Sequence, residues 1–157
     1  MNARKKKRTR PDPSSTGARR RMQATRRRDT PCELALRSWL HRLGMRFRVD
    51  WPVPGTRRRA DVALVASRVA IFVDGCFWHG CPIHGTWPKS NAEWWRRKLQ
   101  TNVARDRDTD ARLTALGWQV FRVWEHEDSA KAAMRLATSL KRRKGRCDRL
   151  RLHRASR

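Results

Sequence analysis

The twelve residues from Asp74 to Gly85, DGCFWHGCPIHG, crowd two cysteines, two histidines, an aspartate and an adjacent aromatic pair into one glycine-rich segment. The segment follows an apolar run and is broken by glycine and proline, so it reads as a turn at a strand end. Four residues separate Cys76 from Cys81 and two separate Cys81 from His84. That spacing is compact enough for three ligands of one Zn²⁺ ion, which favours thiolate and imidazole. Three ligands leave one position open or require a fourth from elsewhere. His126 is the best candidate, because it sits just past a strand end and neighbouring strands bring their ends to one edge of the sheet. His79, between the cysteines, is either a further ligand or a spare acid–base group. The plainer alternative makes Cys76 and Cys81 small buried hydrophobes. Cys32 and Cys147 stand apart, and no export signal or membrane-length apolar run is present. A cytoplasmic setting, with metal or thiol chemistry rather than disulfides, is therefore expected.

Around this turn the chain reads as a small α/β domain with a mixed sheet. Thr30 suits an N-cap, Pro31 the first helical position and Glu33 the third, as in a capping box. The helix they open carries Leu36, Trp39, Leu40 and Leu43 on one face and stops at Gly44. A short strand is expected at Met45–Val49, then a loop at Pro52–Gly55. Two apolar runs, Asp61–Val65 and Val69–Val73, make a hairpin around Ala66–Arg68. A long helix over 91–116 bears Trp95, Leu99, Val103 and Leu113. A strand over Trp118–Trp124 and a last helix over roughly 129–140 complete the order.

The hairpin raises a second chemical possibility. Asp61 opens one strand and Asp74 closes the next, so antiparallel pairing sets their ends side by side. Two carboxylates there could bind one hard cation such as Mg²⁺, with Glu33 completing the cluster. Each acid also has a structural role open to it: a capping box for Glu33, a strand-start turn for Asp61, an Asx turn for Asp74. With a histidine as general base, the cluster would suit metal-assisted phosphodiester hydrolysis.

Charge names the partner. The 157 residues carry 39 Lys and Arg against 14 Asp and Glu, a net of +25, which points to a polyanion. Residues 1–28 hold 12 basic residues and one acid, and residues 141–157 hold nine and one. The balance, 29–140, is nearly neutral, so a globular domain is expected between two basic, disordered arms.

Four blocks in order make the chain similar to the very short patch repair (Vsr) endonucleases, which act on T:G mismatches. They are RDTPCE at 28–33; Asp61 after a basic loop; DGCFWHGCPIHG at 74–85; and Trp95, Lys98, Asn102 and Arg105-Asp106, followed by Gly117-Trp118 and Trp124-Glu125. The resemblance spans roughly residues 22–128. It implies a restriction-endonuclease-like mixed β-sheet flanked by helices, with a structural zinc. Cys76 stands where that fold usually has a lysine, and the base role passes to His79. By the same likeness Asp61 and the backbone carbonyl of Val73 hold Mg²⁺, with Glu33 and Asp74 as catalytic helpers. Cys76, Cys81, His84 and His126 hold zinc, and Phe77, Trp78 and Trp95 insert into DNA. Lys98, Asn102 and Arg105 share a helix face that could grip phosphate. The implied partner is double-stranded DNA with a T:G mismatch, bound by a monomer, with mismatch-repair proteins as possible associates. Two other readings compete: a non-catalytic zinc-containing architectural DNA-binding protein, against which the acid triplet argues, and an RNA-packaging protein, which the arms alone would allow.

Overall fold

The computed structural model describes residues 15–17, 20 and 28–155, so the N-terminal arm at 1–28 lies almost wholly outside the described residues. The first helix, α1 (Pro31–Arg42), starts as its sequence dictates. Thr30 caps it by accepting a hydrogen bond from the Glu33 N–H at 3.3 Å. At its other end Gly44 adopts φ +71°, and the Met45 N–H returns to the Leu40 carbonyl at 3.0 Å. With the Gly44 N–H on the His41 carbonyl at 2.9 Å, this bond makes a closing pair that needs a left-handed residue, which glycine supplies without a Cβ penalty. Only Leu36 and Leu40 of the expected apolar face are buried; Trp39 and Leu43 are exposed, and Trp39 lies beneath the Arg42 guanidinium at 4.9 Å.

Four strands form one sheet in the order β1 (Arg48–Pro52), β2 (Arg59–Leu64), β3 (Val69–Asp74) and β4 (Gln119–Trp124). The first three run antiparallel and β4 runs parallel to β3. A parallel neighbour needs a crossover, here the long helix α2 (Ala92–Ala115). The expected strand at Met45–Val49 is displaced to Arg48–Pro52. Trp51 pairs with Ala60 and Pro52 with Arg59. Pro52 is tolerated because β1 is an edge strand. The last helix, α3 (Ser129–Ala155), runs well past the expected end near 140. Its apolar pattern stops at Leu140, but Lys and Arg are good helix formers and extend a helix already begun.

Alternating side chains sort the sheet into two faces. On one, Val69, Ile71 and Val123 pack against Leu36 and Leu40 of α1 and Ala132, Ala133 and Leu136 of α3. On the other, Ala70 and Phe72 pack against Leu113 of α2, with Trp51, Trp118 and Val120 around them. The result is a mixed α/β sandwich with helices on both faces of the sheet. No helix among the described residues is long and apolar enough to cross a membrane.

Two details of this sheet position everything that follows. The β2–β3 pairing spans Val62↔Ile71 to Leu64↔Val69; beyond it, Asp61 bonds the Val73 N–H through its carboxylate at 2.7 Å. On the outer side of β4, the Arg135 guanidinium donates to the Arg122 carbonyl at 3.3 Å and the Glu127 carboxylate accepts the Trp124 N–H at 2.8 Å.

Asp74 and Arg122 share the α2 face of adjacent strands. One guanidinium nitrogen donates to both Asp74 oxygens, at 2.8 and 2.7 Å, while the rest of the group reaches Asp110 of α2 at 2.9 Å. Removing one partner of a buried pair leaves the other charge unmet, at a cost of about 3–5 kcal/mol. Arg122→Leu is accordingly expected to lower the urea-unfolding free energy by about 3 kcal/mol. An unchanged midpoint would show that this ion pair does not hold the sheet to α2.

Candidate functional site

The Asp74–Gly85 turn leaves the C-terminal end of β3 in tight steps. The Gly75 carbonyl accepts the N–H groups of both Trp78 and His79 at 3.1 Å, and the Cys76 carbonyl accepts from Cys81 at 3.0 Å. Gly80 sits at φ +67° between the two cysteines. Gly85 is required for a different reason: a Cβ there would fall 2.4 Å from the Cys81 carbonyl oxygen. Parallel pairing sets Asp74 level with Trp124, so the residues just after each strand meet. The Glu125 carboxylate accepts the Cys76 N–H at 2.6 Å, and its own N–H bonds the Asp74 carbonyl at 3.0 Å.

This brings Cys76, Cys81, His84 and His126 together. Their ligand atoms all lie within 4.8 Å of one another, the Cys76 sulfur being 3.0 Å from His126 Nδ1. Two thiols and two imidazoles at this separation suit a tetrahedral transition-metal ion such as zinc. Burial works against a Cys81 thiolate, but the N–H groups of His84 and Ile83 point at its sulfur and bring its pKa below the ordinary thiol value. That favours the ligating form.

The three acids behave differently from one another. Glu33 is buried and fully engaged: it accepts from Asp29 N–H at 3.0 Å, from the Thr30 hydroxyl at 3.0 Å and from Arg37 at 2.9 Å. Asp74 has both oxygens on Arg122. Burial pushes its carboxyl above the ordinary value, against the pull of the Arg122 and His79 charges. Among the described residues, Asp61 has no cationic side chain bonded to it. Burial pushes its pKa up to about 6; the Val73 N–H opposes this, the Glu33 and Asp74 charges add to it, and Arg37 opposes it. Among the described residues, the acids do not gather as three donors for one ion, whereas the Cys/His group does. Of the three acids, Glu33 is bonded to Arg37 and Asp74 to Arg122, while Asp61 bonds the Val73 backbone. A hard, hydrated cation such as Mg²⁺ asks for no more than one or two carboxylates beside its waters and a phosphate.

His79 projects from the turn towards α2. Its Nδ1 lies 2.7 Å from Asp106 Oδ2 and 3.5 Å from Asp74 Oδ1. Burial disfavours the imidazolium, but the Asp106 hydrogen bond and the two carboxylate charges outweigh it and raise the His79 pKa. An Asp on Nδ1 leaves Nε2 as the nitrogen free to exchange a proton. Asp106 and Arg122 carry this arrangement, and sequence reasoning gives neither a role. Two signals were present: Arg122 is the lone charge inside an apolar alternating strand, and Asn102, Asp106 and Asp110 recur every four residues along α2.

Phe77 and Trp78 are half-buried, with ring centroids 5.0 Å apart and edge-to-face. Trp95 is buried and sits beneath Phe77 at 5.2 Å and Trp78 at 5.9 Å, as a floor to the pair. Asn102 donates to the Trp78 carbonyl at 3.0 Å, so its amide steadies the aromatic turn from α2. Arg105 is exposed and Lys98 half-buried on the same helix.

Residues 13–84 match the family model described as DNA mismatch endonuclease Vsr. The chain is 45% identical to the type II nicking enzyme V.NaeI of Lentzea aerocolonigenes over 84% of its own length and 81% of the relative's. It is 44% identical to V.XorIIP of Xanthomonas oryzae pv. oryzae, covering 72% and 82%. Against the DNA mismatch endonuclease Vsr of Escherichia coli (strain K12) the identity is 42% over 66% of each chain.

Two outcomes are expected from this geometry. Elemental analysis should find one thiophilic divalent metal per chain, and Gly85→Ala should lower that occupancy by displacing Cys81. Full occupancy in the variant would contradict the packing. Asp61 ionises in the unfolded chain near 3.8 but only at about 6 when folded. The folded state thus holds the extra proton between those values, and this group's contribution to stability falls as pH rises through that window. Asp61→Asn should melt at or above the parent temperature at pH 7 without divalent cation, and a clear drop would show the acid to be a structural anchor.

Proposed function

The chain belongs to the Vsr family of DNA endonucleases, and from that premise we propose that it nicks one strand of duplex DNA beside the T of a T:G mismatch by Mg²⁺-dependent phosphodiester hydrolysis, with zinc in the Cys/His site. The observation that carries this reading is Asp61, a half-buried carboxylate with no cationic side chain bonded to it among the described residues, which feels the charge of Asp74, itself 3.5 Å from the His79 ring of the His79–Asp106 pair. A protein that only binds DNA gains nothing from keeping such a carboxylate near phosphates. Asp61 and the Val73 carbonyl would hold the cation, which supplies charge neutralisation at the phosphate. His79 Nε2 takes the proton of the attacking water, with Nδ1 held by Asp106. Arg122 holds Asp74, and Asp74 keeps a second negative charge near the ring. Glu33 orients the start of α1 and shapes the field at Asp61.

Mismatch choice rests on Phe77 and Trp78. A wobble pair is less well held than a Watson–Crick pair, so opening the stack beside it costs less. The metal-clamped turn, the Trp95 floor and the Asn102 bond keep the two rings presented together. Arg105 and Lys98 contribute phosphate contacts that position the duplex without reading sequence.

Single-turnover nicking of T:G and matched T:A duplexes, with and without Mg²⁺, tests the proposal. Asp61→Asn and His79→Ala should each abolish T:G nicking by about a thousandfold or more while the fold survives. Because Asp106 raises the His79 pKa, Asp106→Asn should move the acid limb of the rate profile to lower pH. Replacing Phe77 and Trp78 by Ala should collapse the T:G over T:A ratio while weak duplex binding persists. A retained ratio would refute the wedge, and cation-independent nicking would refute the hydrolytic scheme.

A further inference from the structure

A second feature lies beside the row of α2 that faces the catalytic groups. Asn102, Asp106 and Asp110 point to Trp78, His79 and Arg122. Arg105, Thr109 and Arg112 occupy the neighbouring strip of the same helix, which faces the β1–β2 loop. Between that strip and the loop is a shallow cleft of about 400 Å³, lined by Gly55, Thr56, Arg57, Arg58, Arg105 and Arg112. Four guanidinium groups in so small a space repel one another unless something negative intervenes.

The compensation within the cleft is partial and particular. Arg58 is the staple: one of its nitrogens meets the Arg105 carbonyl at 3.0 Å, the Thr109 hydroxyl at 2.7 Å and Asp108 at 2.6 Å. Asp108 also takes Arg112 at 3.0 Å. One carboxylate thus serves two arginines. Its pKa is lowered chiefly by the hydrogen bonds from Arg112 and Arg58. The loop itself is folded tightly, with Val53 N–H on the Arg58 carbonyl at 2.9 Å and the Thr56 hydroxyl on the Val53 carbonyl at 3.0 Å. Gly55 sits at φ +68° at its tip. Arg57 and Arg105 remain: both are exposed, and neither guanidinium has an acidic partner among the described residues. They flank a rigid loop and a rigid helix that Arg58 ties together.

We infer that this cleft is a dedicated site for one backbone phosphate of the bound duplex, clamped between Arg57 of the β1–β2 loop and Arg105 of α2, and distinct from the phosphate that is cut. The inference rests on the DNA reading of the active site and deepens it. Arg58 bonds the Arg105 carbonyl, so the staple fixes the loop against the helix and holds the backbones that carry Arg57 and Arg105 beside one cleft before any phosphate arrives. Residue 105 immediately precedes Asp106 on the helix. A phosphate held there fixes the duplex relative to His79 through a single rigid element, so the clamp sets register as well as affinity.

The test is binding of a matched T:A duplex without divalent cation, as a function of NaCl, so that failure of the catalytic proposal leaves the readout intact. Arg57→Ala and Arg105→Ala should each weaken binding. The double variant should make the slope of log K against log [NaCl] shallower by about one unit, since one neutralised phosphate contributes roughly 0.9. A control pair, Arg46→Ala with Arg48→Ala, removes the same charge from the opposite end of β1 and should change the slope by less. Neither Arg57 nor Arg105 packs in the core, so all variants should melt with the parent. A double-variant slope equal to the parent's overturns the clamp. So does a loss of two units, which would mean two separate phosphates, or an equal loss in the control pair, which would mean diffuse charge alone.

Discussion

The Arg122 guanidinium is the point on which the molecule turns. It lies on the face of β4 that α2 covers, bound across to Asp74 on β3 and up to Asp110 on the helix. Those bonds fix the ends of two parallel strands at one level and fix the helix above them. The metal turn starts directly after Asp74, and Glu125 and His126 start directly after Trp124. The Cys/His group is therefore a consequence of strand alignment: four side chains from two distant stretches meet because two strand ends meet. The same level places His79 under Asp106. A charge pair so buried yields little net stability against a well-packed apolar alternative. What it supplies here is position.

A second constraint is the divergence of β2 from β3. Up to Ile71 the two strands pair by backbone, and then a side chain takes over, with Asp61 holding the Val73 N–H. A carboxylate in that gap is shut away from water and crowded by Glu33 and Asp74, so it resists ionisation. Arg37 bonds Glu33 and Arg122 bonds Asp74, whereas Asp61 has only the Val73 N–H bonded to it among the described residues. Burial and like charge of this kind shift carboxylate pKa values at functional sites, and they are also a liability to folding.

Much of this was legible in the sequence, and the reasons for the exceptions are specific. The Thr30–Pro31–Glu33 signature set the start of α1, and Gly44 set its end, because caps are local chemistry. The Cys76, Cys81 and His84 spacing was local too, and His126 followed from its place at a strand end. The register of β1 was not local: Pro52 looks like a loop residue until the strand is known to lie at the sheet's edge. The basic stretch after Leu140 carries no apolar stripe, so its helix was invisible to periodicity. Trp39 fits the helical stripe and still faces solvent, since α1 buries a narrower face than the pattern suggests. The carboxylates Glu33, Asp61 and Asp74 were visible in the sequence, but not the arginines, Arg37 and Arg122, that bond two of them. The bond from Asn102 to the Trp78 carbonyl joins residues 24 apart, and a helical wheel shows no such partner.

Strand β4 is the last in the sheet, and a last strand is ordinarily a template on which another chain can add itself. Here two of the outward backbone groups are taken by the protein's own side chains, the Arg122 carbonyl by Arg135 and the Trp124 N–H by Glu127, and Arg135 and Glu127 are bonded to each other at 2.7 Å. The border is sealed by charge instead of by a fifth strand. The sealing clasp spans the strand end just before Glu125 and His126, so the edge that guards against unwanted β-augmentation is also the edge from which the Cys/His cluster draws its last member.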